Sequence, residues 1–347
     1  MTLKYFTDAN SAAGYVNLQK ENLIGIQRIY HLMSSELKLV NVLLEQISAE
    51  AIRLNLQPEY VYSTFNPEYL SGLIFRDKNL AFVSGKVVME EAIIIDLLPV
   101  FDNHILRNEK SKIKNIETNM NQFYKKMYMH LRAALLIHDE WERIYIDRMD
   151  FVRANVYRDQ LADEILNTQI KPSRSEGIVM RRFFAASVPT GIYDFIPTLT
   201  QGMKRYFVKG RAGTGKSTLM REVQKRAVTM GYDVDIYHCS LDPKSLDMVV
   251  IPELNVCIFD STLPHEYFPT LQTDVIVDTY QFVKAGTDER YADVLEAVEK
   301  KYKNQIKSAL DAMRDGNIER KKLEVIYELS LMPKKAQIVL DNLLSKI

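Results

Sequence analysis

The sequence predicts an α/β fold built twice, as two parallel-sheet domains in tandem, each followed by a helical hairpin. Three observations carry this expectation. The first is internal self-similarity. Phe6, Gly14 and Arg28-Ile29-Tyr30 recur as Phe183, Gly191 and Arg205-Tyr206-Phe207 at a constant offset of 177. Tyr62 to Pro67 then pairs with His238 to Pro243 at offset 176, and Leu80 to Val83 pairs with Val256 to Phe259. After a six-residue gap the offset is 182, with Ile93 to Asp96 on Val275 to Asp278, Trp141 to Tyr145 on Leu323 to Tyr327, and Asp159 to Leu161 on Asp341 to Leu343. The second observation is the alternation of short β-like runs with helical patterns in the front of each copy. The third is an unbroken helical period in the back of each.

The elements follow in order. In the second copy an apolar strand at Arg205 to Lys209 leads into a helix from Lys216 to Met230, followed by strands at Val234 to Cys239 and Val256 to Asp260. Strands separated by helices need crossover connections, which give parallel pairing. Beyond Asp288, Tyr291, Val294, Leu295, Val298, Tyr302, Ile306, Leu310 and Met313 recur at threes and fours, the stripe of an amphipathic helix. A second helix is expected to return from about Ile318, interrupted at Pro333. The first copy repeats this pattern with Ile113, Ile116, Met120, Phe123, Met127, Leu131 and Leu135, then Ile144 and Tyr145. The expected division is a first domain at 1–166, a polar linker at 167–180 and a second domain at 181–347.

The chain has 347 residues, 47% of them hydrophobic and 26% charged, with 45 Lys and Arg against 45 Asp and Glu. That composition can bury two ordinary cores and excludes a mostly disordered chain. A net charge of zero argues against a nucleic-acid or anionic-membrane binder. Apolar stretches such as Ala92 to Phe101 are far short of a membrane span, and the first residues carry no basic-then-apolar leader, so a cytoplasmic protein is expected. Cys239 and Cys257 both sit in apolar runs and read as reduced packing cysteines.

The chemistry concentrates in Gly210-Arg211-Ala212-Gly213-Thr214-Gly215-Lys216-Ser217-Thr218, which fits GxxxxGK[ST] between a strand and a helix. Glycines let such a loop turn its N–H groups inward on phosphates, and the helix N-terminus adds a favourable dipole. Lys216 is expected on the β- and γ-phosphates of ATP and the Ser217 hydroxyl on Mg²⁺. Asp260, closing the strand Val256 to Asp260, is the expected carboxylate of the Mg²⁺ shell. Together these make the second copy a P-loop NTPase-like parallel-sheet domain, and the duplication extends that fold expectation to the first. Ser261 follows Asp260, so the adjacent glutamate of many ATPases is missing and any turnover should be slow. No NKxD-type guanine-reading motif occurs, which favours ATP over GTP.

The first copy lacks this equipment. Leu39, Val40 and Ser84 stand where Lys216, Ser217 and Asp260 would fall, so it reads as a dead nucleotide domain. The six residues it also lacks fall within Ser261 to Pro269, which makes His265 the candidate catalytic contact of that loop, with Glu266 second. Asp242, after the second strand, is a further candidate on the edge where parallel sheets bind ligands, or simply a turn residue before Pro243. His138-Asp-Glu-Trp-Glu142 reads as a solvated helix face with a buried Trp141 rather than a metal cluster. Lys284 and Arg290 read as helix-start residues rather than a phosphate finger.

The Phe183 to Gly191 segment, the Gly210 to Thr218 loop, Phe259-Asp-Ser-Thr-x-Pro-His265, and His138 to Glu142 followed by Tyr145 and Met149-Asp-Phe151 resemble an uncharacterised bacterial family. Its members carry two tandem P-loop ATPase-like domains and occur mainly in Gram-positive spore formers. The resemblance spans essentially the whole chain and implies ATP binding and hydrolysis. In that family the first copy often keeps a phosphate loop; here it does not. The expectation is therefore a Mg²⁺-dependent ATP-binding protein, a slow ATPase with its active site in the second copy and a pseudo-NTPase first copy. A protein partner is expected on the hairpins. Alternatives are a P-loop kinase acting on a small molecule or nucleotide, and an ATP-sensing module that does not hydrolyse.

Overall fold

Runs rich in β-branched and aromatic residues, flanked by turn residues, set the strands of both repeats. The computed structural model describes residues 3–85, 89–172 and 174–347. Met1 and Thr2 of the expected first domain and Ser173 of the expected linker lie outside them. The first repeat runs β1 (Lys4–Tyr5), β2 (Asp8–Ser11), β3 (Gly14–Asn17), α1 (Gln19–Asn22), β4 (Arg28–Met33), α2 (Leu37–Arg53), β5 (Glu59–Ser63), β6 (Asn66–Phe75), β7 (Leu80–Val83), β8 (Ile93–Asp96), α3 (Asn103–Asn108), α4 (Lys110–Ile146) and α5 (Phe151–Leu166). The second repeats it as β9 (Val179–Arg182), β10 (Ala185–Val188), β11 (Gly191–Asp194), α6 (Ile196–Leu199), β12 (Lys204–Lys209), α7 (Lys216–Met230), β13 (Val234–His238), β14 (Leu246–Ile251), β15 (Val256–Asp260), β16 (Val275–Asp278), α8 (Thr287–Arg290), α9 (Ala292–Ser330) and α10 (Pro333–Leu344). The six-stranded sheets have the same order, β1-β5-β6-β7-β4-β8 and β9-β13-β14-β15-β12-β16. The duplicated α/β architecture stands.

Two expectations need correction. The sheets are mixed rather than wholly parallel. β12 pairs in parallel with β15 and β16, whereas β14 runs antiparallel to both β13 and β15. The sequence reading assigned no strand at Leu246–Ile251. A single short turn links β14 to β15, closed by Asn255 at φ 52, and Asn79 does the same in the first copy at φ 49. So short a link can join only antiparallel neighbours, and Asn is among the few residues that tolerate that backbone.

The second correction concerns the helices. No return occurs at Ile318: α9 is continuous over 39 residues and α4 over 37. Gly316 does not break α9, since one helical glycine costs only about 1 kcal/mol. A β-carbon there would stand 3.3 Å from the Tyr124 ring and 3.4 Å from Phe123. The missing side chain thus lets α4 and α9 approach closely. These two long helices pair with each other in antiparallel sense, Asn119 meeting Glu319, Tyr124 meeting Arg320 and His130 meeting Gln305.

The final helices are exchanged. Leu161, Ala162, Ile165 and Leu166 of α5 join the core beneath α7, and Leu343 of α10 joins the core beneath α2. Backbone bridges mark the crossing in symmetric pairs, Phe101 with Leu331 and Met149 with Val283. Phe6 and Phe183, equivalent residues, exchange N–H to carbonyl bonds of 2.9 Å in both directions. That bridge and the middle of the α4–α9 pair lie on an approximate two-fold relating the copies.

A buried ionic cluster sits beside the bridge. Arg182 is 1% exposed and bonds Asp235 at 2.8 Å, Asn22 at 2.7 Å and Glu59 at 3.4 Å. Arg76 approaches the same Glu59 at 2.6 Å, and Tyr5 donates to it at 2.5 Å. The copies are thus joined by charge as well as by apolar packing. No helix among the described residues is long and apolar enough to cross a membrane.

Candidate functional site

β12 ends at the C-terminal edge of the parallel strands, where open α/β sheets bind ligands. The chain leaves it through Gly210 to Gly215 and enters α7 at Lys216. Gly213 and Gly215 have φ of 77° and 83°, the left-handed region that glycine adopts without strain. A β-carbon at Gly213 would meet the Glu142 carbonyl oxygen at 2.6 Å, so the loop lies directly on α4 of the other copy. Gly215 precedes the helix with no side chain capping the first turn. Uncapped N–H groups at a helix start favour an anion. Lys216 arches back over the loop, with Nζ donating to the Arg211 carbonyl at 2.8 Å and standing 3.6 Å from Asp260 Oδ2.

Thr214, Arg211 and Ser217 are held by contacts outside the loop. Thr214 Oγ1 bonds the Arg211 carbonyl at 2.8 Å and Thr279 Oγ1 at 2.7 Å. Arg211 pairs with Asp288 at 2.8 Å, and Tyr145 of α4 donates to the same carboxylate at 2.9 Å. Burial, then that bond to Asp288, pushes the Tyr145 phenol up to about 12, so it remains a donor at neutral pH. Ser217 Oγ accepts from the Leu246 N–H at 3.0 Å. Asp260 Oδ1 accepts from the Thr262 N–H and hydroxyl at 3.1 and 2.7 Å.

The unassigned strand β14 adds a residue that the sequence reading missed. Met248 pairs with Phe259 and Val249 with Ile258, so the same register sets Asp247 opposite Asp260. Burial and then the facing Asp260 charge push the Asp247 carboxyl up to about 7. Its only sequence signal is a charge within an otherwise apolar run, Leu246 to Ile251.

These groups line one cavity of about 1350 Å³. Its floor is the phosphate-loop candidate Gly210 to Thr218 with Asp247 and Asp260; its opposite wall is made by α4 and α9, including Trp141, Glu142 and Tyr302. The sequence reading also missed that the first copy, through α4, supplies part of this wall. His265 lines the cavity, but its Nδ1 is bonded to Asp194 Oδ2 at 2.9 Å and its ring packs edge-on to Phe184. Tyr267 donates to the other Asp194 oxygen at 2.7 Å. The loop after Asp260 is thus anchored to β11, and Lys209 binds its Ser261 and Tyr267 carbonyls at 2.7 and 2.8 Å. Glu266 stands 3.5 Å from Lys209.

The remaining candidates fall as follows. Asp242 reaches the cavity rim and also caps its own turn, accepting from Lys244 N at 3.2 Å. Lys284 donates its backbone N–H to the Arg148 carbonyl at the helix exchange, and the Arg290 guanidinium stands 5.5 Å from the Tyr291 ring centroid. Neither lines the cavity. Cys239 and Cys257 are free thiols, and burial pushes Cys257 up to about 12, which makes it an inert packing group.

In the first copy the corresponding loop is filled. Leu39 and Val40 are buried in the core around α2. Glu36, 5% exposed, caps α2 by accepting from the Lys38 and Leu39 N–H groups. Ser71 and Ser84 stand where the second copy has Asp247 and Asp260, and Ser84 Oγ bonds the Ser71 carbonyl at 3.0 Å. Searches against family models, curated proteins and solved structures found no match to this chain.

Proposed function

We propose that the protein binds Mg²⁺-ATP at Gly210 to Thr218 and hydrolyses it slowly, with the first copy acting as a structural and regulatory partner. One observation carries the reading: a glycine loop opens an uncapped helix at the strand edge, with Lys216 folded over it towards Asp260. The donor set suits a phosphate chain. Backbone N–H groups and Lys216 meet the anion, while the Ser217 hydroxyl and Asp260 supply hard oxygen ligands of the kind Mg²⁺ takes. A divalent cation there contributes charge neutralisation on the terminal phosphates. Thr262 orients Asp260, and the Asp194 bond holds His265 at the cavity edge. No glutamate follows Asp260, which is why turnover is expected to be slow.

The test is ATP binding and Mg²⁺-dependent phosphate release, measured beside Lys216→Ala and Asp260→Ala. Loss of turnover in both supports the reading. Unchanged ATP affinity in Lys216→Ala defeats it. A second reading, phosphoryl transfer to a bound acceptor, draws support from the cavity, whose 1350 Å³ exceeds the roughly 300–1,000 Å³ of an ordinary ligand site. Product analysis separates the two: ADP with free phosphate, or ADP with a phosphorylated acceptor.

A further inference from the structure

The two sides of the cavity differ in charge pattern. The sheet side mixes Lys209, Arg211, Lys216, Arg221 and Lys244 with acids that include Asp242, Asp247, Asp260 and Glu266. Among the described residues, the α4–α9 wall contributes Asp139, Glu142, Glu296 and Glu299 and no Lys or Arg. Glu299 is shared with Lys303, and Glu142 stands 3.7 Å from His138 Nδ1, while Asp139 and Glu296 have no ion-pair partner among the described residues. Three rings stand among these carboxylates. Trp141 and Tyr302 have centroids 6.2 Å apart, and His138 stands 6.5 and 6.0 Å from them. Trp141 and Tyr302 come from different copies, so the cluster exists only where α4 and α9 meet.

We propose that this wall binds an organic cation, an alkylated ammonium group carried by a small molecule, beside the phosphate-loop cavity floor. Aromatic faces attract such a cation through the ring quadrupole, and surrounding carboxylates add long-range attraction. A nucleobase would use the rings but gain little from four acids. A divalent metal would use the acids but not the rings. The only metal-ligand cluster among the described residues, His138, Asp139 and Glu142, lies along a single helix with Asp139 exposed. The proposal does not depend on the nucleotide reading, because none of its groups belongs to the phosphate loop.

Trp141 is the only tryptophan in the chain, so its fluorescence reports on this wall directly. The full-length protein is titrated with tetramethylammonium, with choline and with 3,3-dimethylbutanol, the neutral isostere of choline, and calorimetry is run in parallel. Saturable binding of both cations is expected, at least about tenfold tighter than the isostere. Tyr302→Leu should weaken choline by about tenfold, whereas Tyr302→Phe, which keeps the ring, should hold it near the parent value. Matched circular dichroism melts show that both variants fold. Lys216→Ala should weaken ATP binding by about tenfold or more and leave choline binding intact, so failure of either reading is visible separately. Equal binding of choline and its neutral isostere, equal affinity in the Leu and Phe variants, or neither quenching nor heat would overturn the proposal. Saturable Mn²⁺ binding with no response to choline would also overturn it, assigning the wall to a metal.

Discussion

The loops at Ser34 to Leu39 and Arg211 to Lys216 occupy equivalent places in two sheets of the same order, yet they treat their helix N-termini in opposite ways. The first brings its own anion: Glu36 lies on the N–H groups of Lys38 and Leu39. The second leaves the same groups uncapped beneath a cavity. The opposite copy braces both. Tyr327 of α9 meets Ser35 at 2.9 Å, and its equivalent Tyr145 meets Asp288 beside Arg211 at 2.9 Å. The two loops therefore differ by more than their glycines. An internal carboxylate occupies the helix start of the first copy, whereas that of the second carries no side-chain cap, which under the proposed function leaves it free for an external anion.

Arg182 is the asymmetric member of the axis cluster, since its equivalent in the first copy is Tyr5. Arg182→Met should cost about 3–5 kcal/mol in a denaturant titration, because Glu59 and Asp235 are left buried without their shared partner. Removing a directed cationic donor by Lys216→Ala should cut ATP affinity by about 10- to 100-fold, the scale of one hydrogen bond between charged groups. The converse graft, Leu39→Lys with Val40→Ser, should create no ATP site, because Glu36 still holds the helix end. Equilibrium dialysis with labelled ATP checks both.

Asp247 sharpens the contrast between the Asp247–Asp260 and Ser71–Ser84 pairs. Its pKa is higher in the folded protein than in the unfolded chain. Its contribution to stability is therefore complete below the ordinary aspartate range and is lost as pH rises through about 7. In metal-free buffer Asp247→Asn should flatten that loss, raising the melting temperature at pH 8 and changing it little near pH 4. A parallel decline in parent and variant would refute the assignment. The smallest effect is expected for Glu36→Ala, which removes a helix cap worth about 1 kcal/mol and should lower the melting temperature by a few degrees without altering ATP binding.

Much of this was legible in the residues. Repeat offsets and the strand–glycine loop–helix order located β12, α7 and β15 almost to the residue, because those signals are local. The strand β14 escaped because a buried apolar run has no period of its own, and Asp247 was lost with it. The α4–α9 wall escaped for another reason. A stripe at threes and fours says that a helix buries one face but not against what, and a hairpin and an exchanged pair write the same stripe. His265 was found through its loop, whereas its Asp194 partner lies 71 positions away and left no mark near it.

The exchange of the last helices bears on how the chain is made. The core around α2 contains Leu343, so the first copy has all its packing partners only when α10 is present. On the ribosome the first copy would emerge complete in sequence yet wait, with the α2 side of its sheet uncovered, until α10 of the second copy has been made. Maturation of the two halves is thereby a single late event. Truncating α10 would damage the copy most distant from it in sequence.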